Sequence, residues 1–375
     1  MIPRVSAPLS PPAPSPDAAA ARRRRRRRLL LALTSALTSV GLGVVTLEVY
    51  LRLRLPPQSD QASCYLPDWD LGKRLVPGYR GENFGVPLSV NAHGMRDEEV
   101  TLQREPGSRR ILALGDSWTF GAGVEVEHTW PAQLERLLAQ PDPVEVLNTG
   151  VSGYETYHEA VYYERDLTGF EHDLVLVGFY PVNDINDKQG RYDRNKALHE
   201  LSPLLYDLYT YPKRTAIHQV YTTWRRARKQ RKRTQRLAYA HGSTSTPFTV
   251  DQDWTELYTD DYSGWPLVKE SLASIGRTAR RCGVRGAVVL FPDIQDLGRY
   301  VDYCHPRFAP RLAEAVAAAG LELIDLVEDF RPYVGREAEV AGWSGSTHPS
   351  PAGYEVIARA VARELDARDL LPPSR

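Results

Sequence analysis

The chain predicts an α/β protein: a parallel sheet of five strands with helices on both faces, preceded by one transmembrane helix. Three observations predict it. From residue 110 onward, short apolar runs of strand length alternate with stretches of helical periodicity. Nineteen residues without a charge follow seven consecutive arginines near the N-terminus. Polar residues and glycines recur just after the apolar runs, where open parallel sheets keep their working groups.

Taken in order, residues 1–21 are rich in Pro, Ala and Ser without apolar periodicity, and with the arginines at 22–28 they read as a disordered basic segment. The run "LLLALTSALTSVGLGVVTL", residues 29–47, spans about 28 Å as a helix, close to the hydrocarbon thickness of a bilayer. No clear cleavage site follows it, so it predicts an uncleaved anchor. The heavier positive charge on its N-terminal side puts residues 1–28 in the cytoplasm and everything beyond about residue 55 outside it. Residues 55–108 read as a linker and a small β pre-domain, with a hairpin or edge strand around Val86, Leu88 and Val90 and a structural role.

The strands are "RILALG" (110–115), "VEVLN" (144–148), "DLVLVGF" (173–179), "GAVVLF" (286–291) and "LELIDL" (321–326). Helical patterns lie at 129–140, after Tyr154, near 266–281, near 307–319 and from Pro351. A departure of about 188–265 interrupts this domain of 109–370, and its centre, "YTTWRRARKQRKRTQRLAYA", predicts a basic helix. Such a helix is usually a solvated face; near a bilayer it could also hold anionic headgroups or an acidic polymer.

The zero net charge of the 375 residues hides this segregation of basic clusters and says nothing about partners. Export makes nucleic acid a poor partner for them. Cys64, Cys282 and Cys304 have neither C-x-x-C nor metal-ligand spacing, so no zinc site is expected, and one disulfide is left open. No metal or organic cofactor is implied.

After the first strand comes "GDSWTFGAG", in which Ser117 stands at a tight strand-to-helix turn with its hydroxyl and its own N–H exposed. Alone this is a weak signal, because such tripeptides also make ordinary turns. After the second strand "NTGVSGYET" offers Gly150 and Gly153, where backbone can approach a substrate closely. After the third, "GFYPVNDIND" puts Asn183 and Asp184 at the rim; an amide there can donate to developing negative charge or cap a turn. His348 precedes the last helix, with Ser350 as N-cap and Pro351 in the first turn. Its rival, His305 in "DYCHPRFAP", reads as a loop residue.

These four motifs, in this order, resemble the SGNH hydrolases, also called the GDSL esterase and lipase family, over roughly residues 110–365. The layout is similar to that of its bacterial membrane-anchored members. The resemblance implies a three-layer α/β/α sandwich, Ser117 as nucleophile, and His348 as general base. It further implies an oxyanion hole made by the N–H groups of Ser117 and Gly153, with Gly150 the lesser choice, and by the Asn183 amide. Most of the family has an aspartate three residues before the histidine. Here that position is Gly345, between Ser344 and Ser346.

Loss of the acid's charge costs a well-studied serine hydrolase about 10⁴-fold, or about 5 kcal/mol, unless another acceptor fixes the tautomer. A backbone carbonyl in "GWSGS" can serve; Asp293 or Asp296 of "FPDIQD" is the less economical choice. The expectation is therefore a membrane-anchored, extracytoplasmic hydrolase of acyl esters, carried by a glycan or a lipid. Its rivals are an O-acyltransferase acting on cell-surface polysaccharide and a non-catalytic glycan- or lipid-binding module on the same fold.

Overall fold

The computed structural model describes residues 16–54, 64–139, 143–185, 197–210, 217, 221, 254–342 and 347–372. The chain divides into two compact units, residues 1–57 with 211–235, and residues 58–210 with 236–375. The first unit is built on helix α1, Pro16–Arg54. Within it Arg23–Leu51 is long and apolar enough to cross a membrane, with a mean hydropathy of 1.9, and none of its described residues is buried. The Ile217 N–H donates to the Glu48 carboxylate in this unit, at 3.1 Å. Residues 16–28, expected to be disordered, are helical instead. Pro16 suits a first helical position, and alanine and arginine are strong helix formers that extend the apolar helix toward the N-terminus.

In the second unit, two antiparallel hairpins come first: β1 (Tyr65–Asp68) with β2 (Gly72–Leu75), and β3 (Arg80–Asn83) with β4 (Val86–Ser89). The sequence predicted only the second. Asp68 Oδ1 closes the first turn by accepting the N–H groups of Asp70 and Leu71, both at 2.9 Å.

Then come β5 (Arg109–Leu114), β6 (Val144–Asn148), β7 (Leu174–Phe179), β8 (Arg285–Leu290) and β9 (Glu322–Asp325), in one parallel sheet of order β6-β5-β7-β8-β9. β7 is buried at every position, and β5 and β8 at all but their first, which is why they read as continuous apolar runs. Helices of this unit include α2 (Ser117–Phe120), α3 (Trp130–Leu138), α4 (Thr156–Tyr162), α5 (Pro181–Asp184), α6 (Pro203–Thr210), α7 (Gly264–Cys282), α8 (His305–Ala318) and α9 (Pro351–Ala367). α3 and α9 pack on each other over one face of the sheet; α4, α7 and α8 form the group on the other. This is the three-layer sandwich.

The strand order reverses at β5, so a crevice is expected outside the carboxyl ends of β5 and β7. Of the predicted insertion, α6, the turn Trp254–Leu257 and the start of α7 are described, while the expected basic helix lies outside the described residues. His305 is no loop residue. It opens α8, because Pro306 is tolerated in a first turn, and its Nε2 lies 2.6 Å from Asp325 Oδ2. None of the three cysteines is joined in a disulfide.

Candidate active site

Ser117 begins α2 directly after β5. Asp116 is the N-cap, and its Oδ1 accepts the Trp118 N–H at 2.8 Å. From Arg110 to Ala122 every residue is buried except Ser117. Packing thus leaves one hydroxyl accessible at the crevice. Among the described residues no acceptor takes the Ser117 N–H, an orphan donor of the helix start.

His348 comes from the opposite side of the chain and is gripped by backbone. The Gly342 N–H donates to the His348 carbonyl at 2.8 Å, the Ser350 N–H donates to the Val340 carbonyl at 2.7 Å, and Ala341 and Pro349 form a β-bridge. Ser350 caps α9 by accepting the Gly353 N–H, as the sequence predicted. The result is that His348 Nε2 lies 2.8 Å from Ser117 Oγ across 231 residues of chain. Burial pushes the imidazole's pKa down to about 4. Asp293 and Asp296 serve instead as caps, accepting the N–H groups of Gln295 and Arg299. Gly345 and its serine neighbours lie outside the described residues.

The two glycines after β6 separate in role. A Cβ on Gly150 would meet the Phe120 nitrogen at 2.3 Å, so this glycine lets the loop lie against α2. Gly153 has φ +80°, a left-handed conformation, and among the described residues its N–H has no acceptor. Asn183 is brought to the same edge by α5. Its Nδ2 donates to Asp116 Oδ2 at 3.0 Å and to the Tyr154 carbonyl at 2.8 Å. Asp184 is not at the rim: it is 1% exposed, accepts Thr156 Oγ1–H and the Tyr180 N–H, and burial drives its pKa well up.

Three contributors escaped the sequence reading. Arg96, 1% exposed, donates to the carbonyls of Phe120, Gly121 and Val124 at 2.8, 2.6 and 2.6 Å. Phe84 in the β3–β4 turn has its ring centroid 6.1 Å from that of His348. Tyr154, whose hydroxyl donates to the Lys73 carbonyl at 2.7 Å, ties the glycine loop to β2. A charged turn and a phenylalanine-glycine turn carry no local mark of such roles. As for metals, Glu125, Glu127 and His128 bring ligand atoms within 4.8 Å of one another, but two of the three are exposed and none belongs to this edge.

Among solved structures, the chain is similar to a lipase/acylhydrolase from Enterococcus faecalis (16% identity, 71% of this chain and 99% of that one, TM-score 0.39). It is also similar to an acetylxylan esterase from Geobacillus stearothermophilus (15%, 68% and 94%, TM-score 0.39). A third is the esterase EstA from Pseudoalteromonas (12%, 69% and 98%, TM-score 0.39). No curated protein matches the chain. The model of the GDSL-like lipase/acylhydrolase family matches residues 113–356, well over half of the chain and the whole stretch from β5 into α9, so the chain belongs to this family and is a carboxylic ester hydrolase.

Proposed function

We propose that the protein is a membrane-anchored, extracytoplasmic hydrolase of acyl esters that works through a Ser117–His348 dyad. The observation that carries this reading is the 2.8 Å separation of His348 Nε2 and Ser117 Oγ at the switch point of the sheet. With the ring proton on Nδ1, the Ser117 hydroxyl donates to Nε2. Oγ attacks the ester carbonyl as His348 takes the proton, and His348 returns that proton to the leaving alcohol. Water then attacks the acyl-enzyme by the same route in reverse. The N–H groups of Ser117 and Gly153 stabilise the oxyanion. Asn183 joins them by turning one Nδ2 hydrogen from Asp116 toward the developing charge, a tightening expected only with substrate bound.

The substrate class this fits is an O-acetyl or lipid-type ester of a glycan or lipid outside the cytoplasm. Two features support the location: the seven arginines before the apolar stretch of α1, and the exposure of that stretch among the described residues. The test is p-nitrophenol release from p-nitrophenyl acetate by the detergent-solubilised full chain. Ser117→Ala and His348→Ala should fall to background, and Asn183→Ala should lose about 10²–10³-fold in turnover, as removal of an oxyanion donor does elsewhere. Unchanged turnover in Asn183→Ala confines that amide to bridging Asp116 and Tyr154. Wild type as inert as the variants removes the hydrolase reading for simple esters. Acetate appearing on an added oligosaccharide instead of in water identifies a transferase.

A further inference from the structure

The turn of the β3–β4 hairpin is Phe84-Gly85, closed by the Asn83–Val86 pair, with φ values of +52° and +77°. Positive φ at both central residues is the two-residue hairpin turn that asparagine or aspartate before glycine makes readily. A phenylalanine there crowds its Cβ against the backbone. Among the described residues only Phe84 and Asp369 hold positive φ without being glycine. A strained residue kept where a better turn former exists points to work done by its side chain.

The Phe84 ring is half-buried, and its nearest aromatic neighbours belong to the reacting edge. Its centroid lies 6.1 Å from that of His348 and 6.4 Å from that of Phe120, the last residue of the nucleophile's helix. It therefore stands beside the imidazole of His348, which carries the proton to the leaving oxygen. That position has a definite meaning in acyl transfer. The carbonyl oxygen must lie toward the N–H groups of Ser117 and Gly153, whereas the leaving oxygen must come within reach of His348 Nε2 to receive its proton. A wall beside the imidazole is met by the alcohol half of the ester.

We infer that Phe84 forms the leaving-group subsite, an aromatic surface on which the alcohol half of the substrate packs, so that the pre-domain hairpin sets alcohol selectivity. This rests on the dyad reading above. The alcohols it favours present a flat or apolar face: an aryl alcohol, or a pyranose ring showing its C–H bonds to the phenyl ring. The bond changes fix when Phe84 acts. In acylation the Ser117 Oγ–C bond forms, the ester C–O bond breaks, and the alcohol leaves with the proton from His348. In deacylation water adds and the free acid departs. The acyl-enzyme is the same whichever alcohol made it, so Phe84 acts on acylation and not on deacylation.

The test uses the full chain in detergent with Phe84→Asn, which suits the turn, and Phe84→Tyr, which keeps the ring. One series holds the acetyl group constant and varies the alcohol (methyl, phenyl, p-nitrophenyl). The other holds p-nitrophenol constant and lengthens the acyl chain. Phe84→Asn should lower kcat/KM for the aryl acetates about tenfold, the scale expected when one aromatic pairing is removed. Methyl acetate, acyl-chain preference and the deacylation rate of the acetyl-enzyme should change less than about twofold, and Phe84→Tyr should restore the aryl preference. Equal losses on methyl and aryl esters, or a changed acyl preference, overturn the subsite. If Ser117→Ala keeps wild-type turnover, the dyad itself has failed; if Ser117→Ala is dead while Phe84→Asn loses uniformly, only the subsite has.

Discussion

His348 is set apart by its low basicity. Its pKa is pushed down from 6.5 to about 4 by burial. The form needed to deprotonate Ser117 is the neutral one, so the ring is ready at all but acid pH. It is also a weak base, and it stabilises its own imidazolium poorly. For the free enzyme, kcat/KM should therefore lose activity with an acid limb near pH 4 and stay level from about pH 5.5 to 8. A limb between 6 and 7 would mean that a carboxylate joins the ring in the working enzyme. The same shift acts on stability. The unfolded chain binds its proton near pH 6.5 and the folded one near 4, so the contribution is fully present above 6.5 and is lost as pH falls toward 4. Replacing His348 with glutamine should flatten the melting temperature over that window.

At the scale of elements, the helix that Ser117 begins has four residues, too few to stand by itself. Its carbonyl end is held by Arg96, which donates to three carbonyls and lies 4.9 Å from the Phe120 ring centroid. Burial lowers the Arg96 pKa to about 10, which leaves it charged at neutral pH, and a cation is well placed at the end of a helix. Arg96→Met should leave buried carbonyls unpaired at a cost of about 3 kcal/mol, seen as a lower urea midpoint, and turnover should fall with it. Arg96→Lys should rescue little, because one ammonium cannot reproduce the guanidinium fork. This clamp also shows what the sequence could and could not reveal. β5, β7 and β8 were legible because burial on both faces turns them into apolar runs, and Ser350-Pro351 was legible because a helix start is local chemistry. Arg96 in "GMRDEE" looks like a solvated turn, since its acceptors arrive 24 to 28 residues later. Phe84 was hidden for a related reason: its turn breaks the local preference for asparagine, and its partner His348 is 264 positions away in sequence. Motif order singled out Ser117 and His348, whose side chains lie 2.8 Å apart, whereas the double engagement of Asn183 by Asp116 and Tyr154 needed three-dimensional contacts.

At the scale of the whole molecule, the proposed membrane anchor rests on the apolar surface of the first unit. Leu29, Leu30, Leu31, Leu33, Leu37 and Val40 are each more than half exposed along α1, and the apolar surface continues to Leu47. A soluble chain does not leave a stripe of that size in water. A bilayer removes it, and the backbone polar groups of α1 are already satisfied within the helix, as a spanning segment requires. The full chain should therefore remain in the membrane pellet through an alkaline carbonate wash and leave it only with detergent. A signal sequence makes the opposite demand: cleavage after α1, release of the hydrolase, and an intact mass lacking the first unit. The orientation proposed above rests on the arginines at 22–28, since positive charge beside a span tends to stay in the cytoplasm. In right-side-out preparations, protease added from outside should digest the hydrolase and spare a tag at the N-terminus. Exchanging the seven arginines for glutamines should weaken that bias, so that part of the population protects the hydrolase instead. Protection of the hydrolase in the unaltered chain would place Ser117 in the cytoplasm and turn the search for its ester inward.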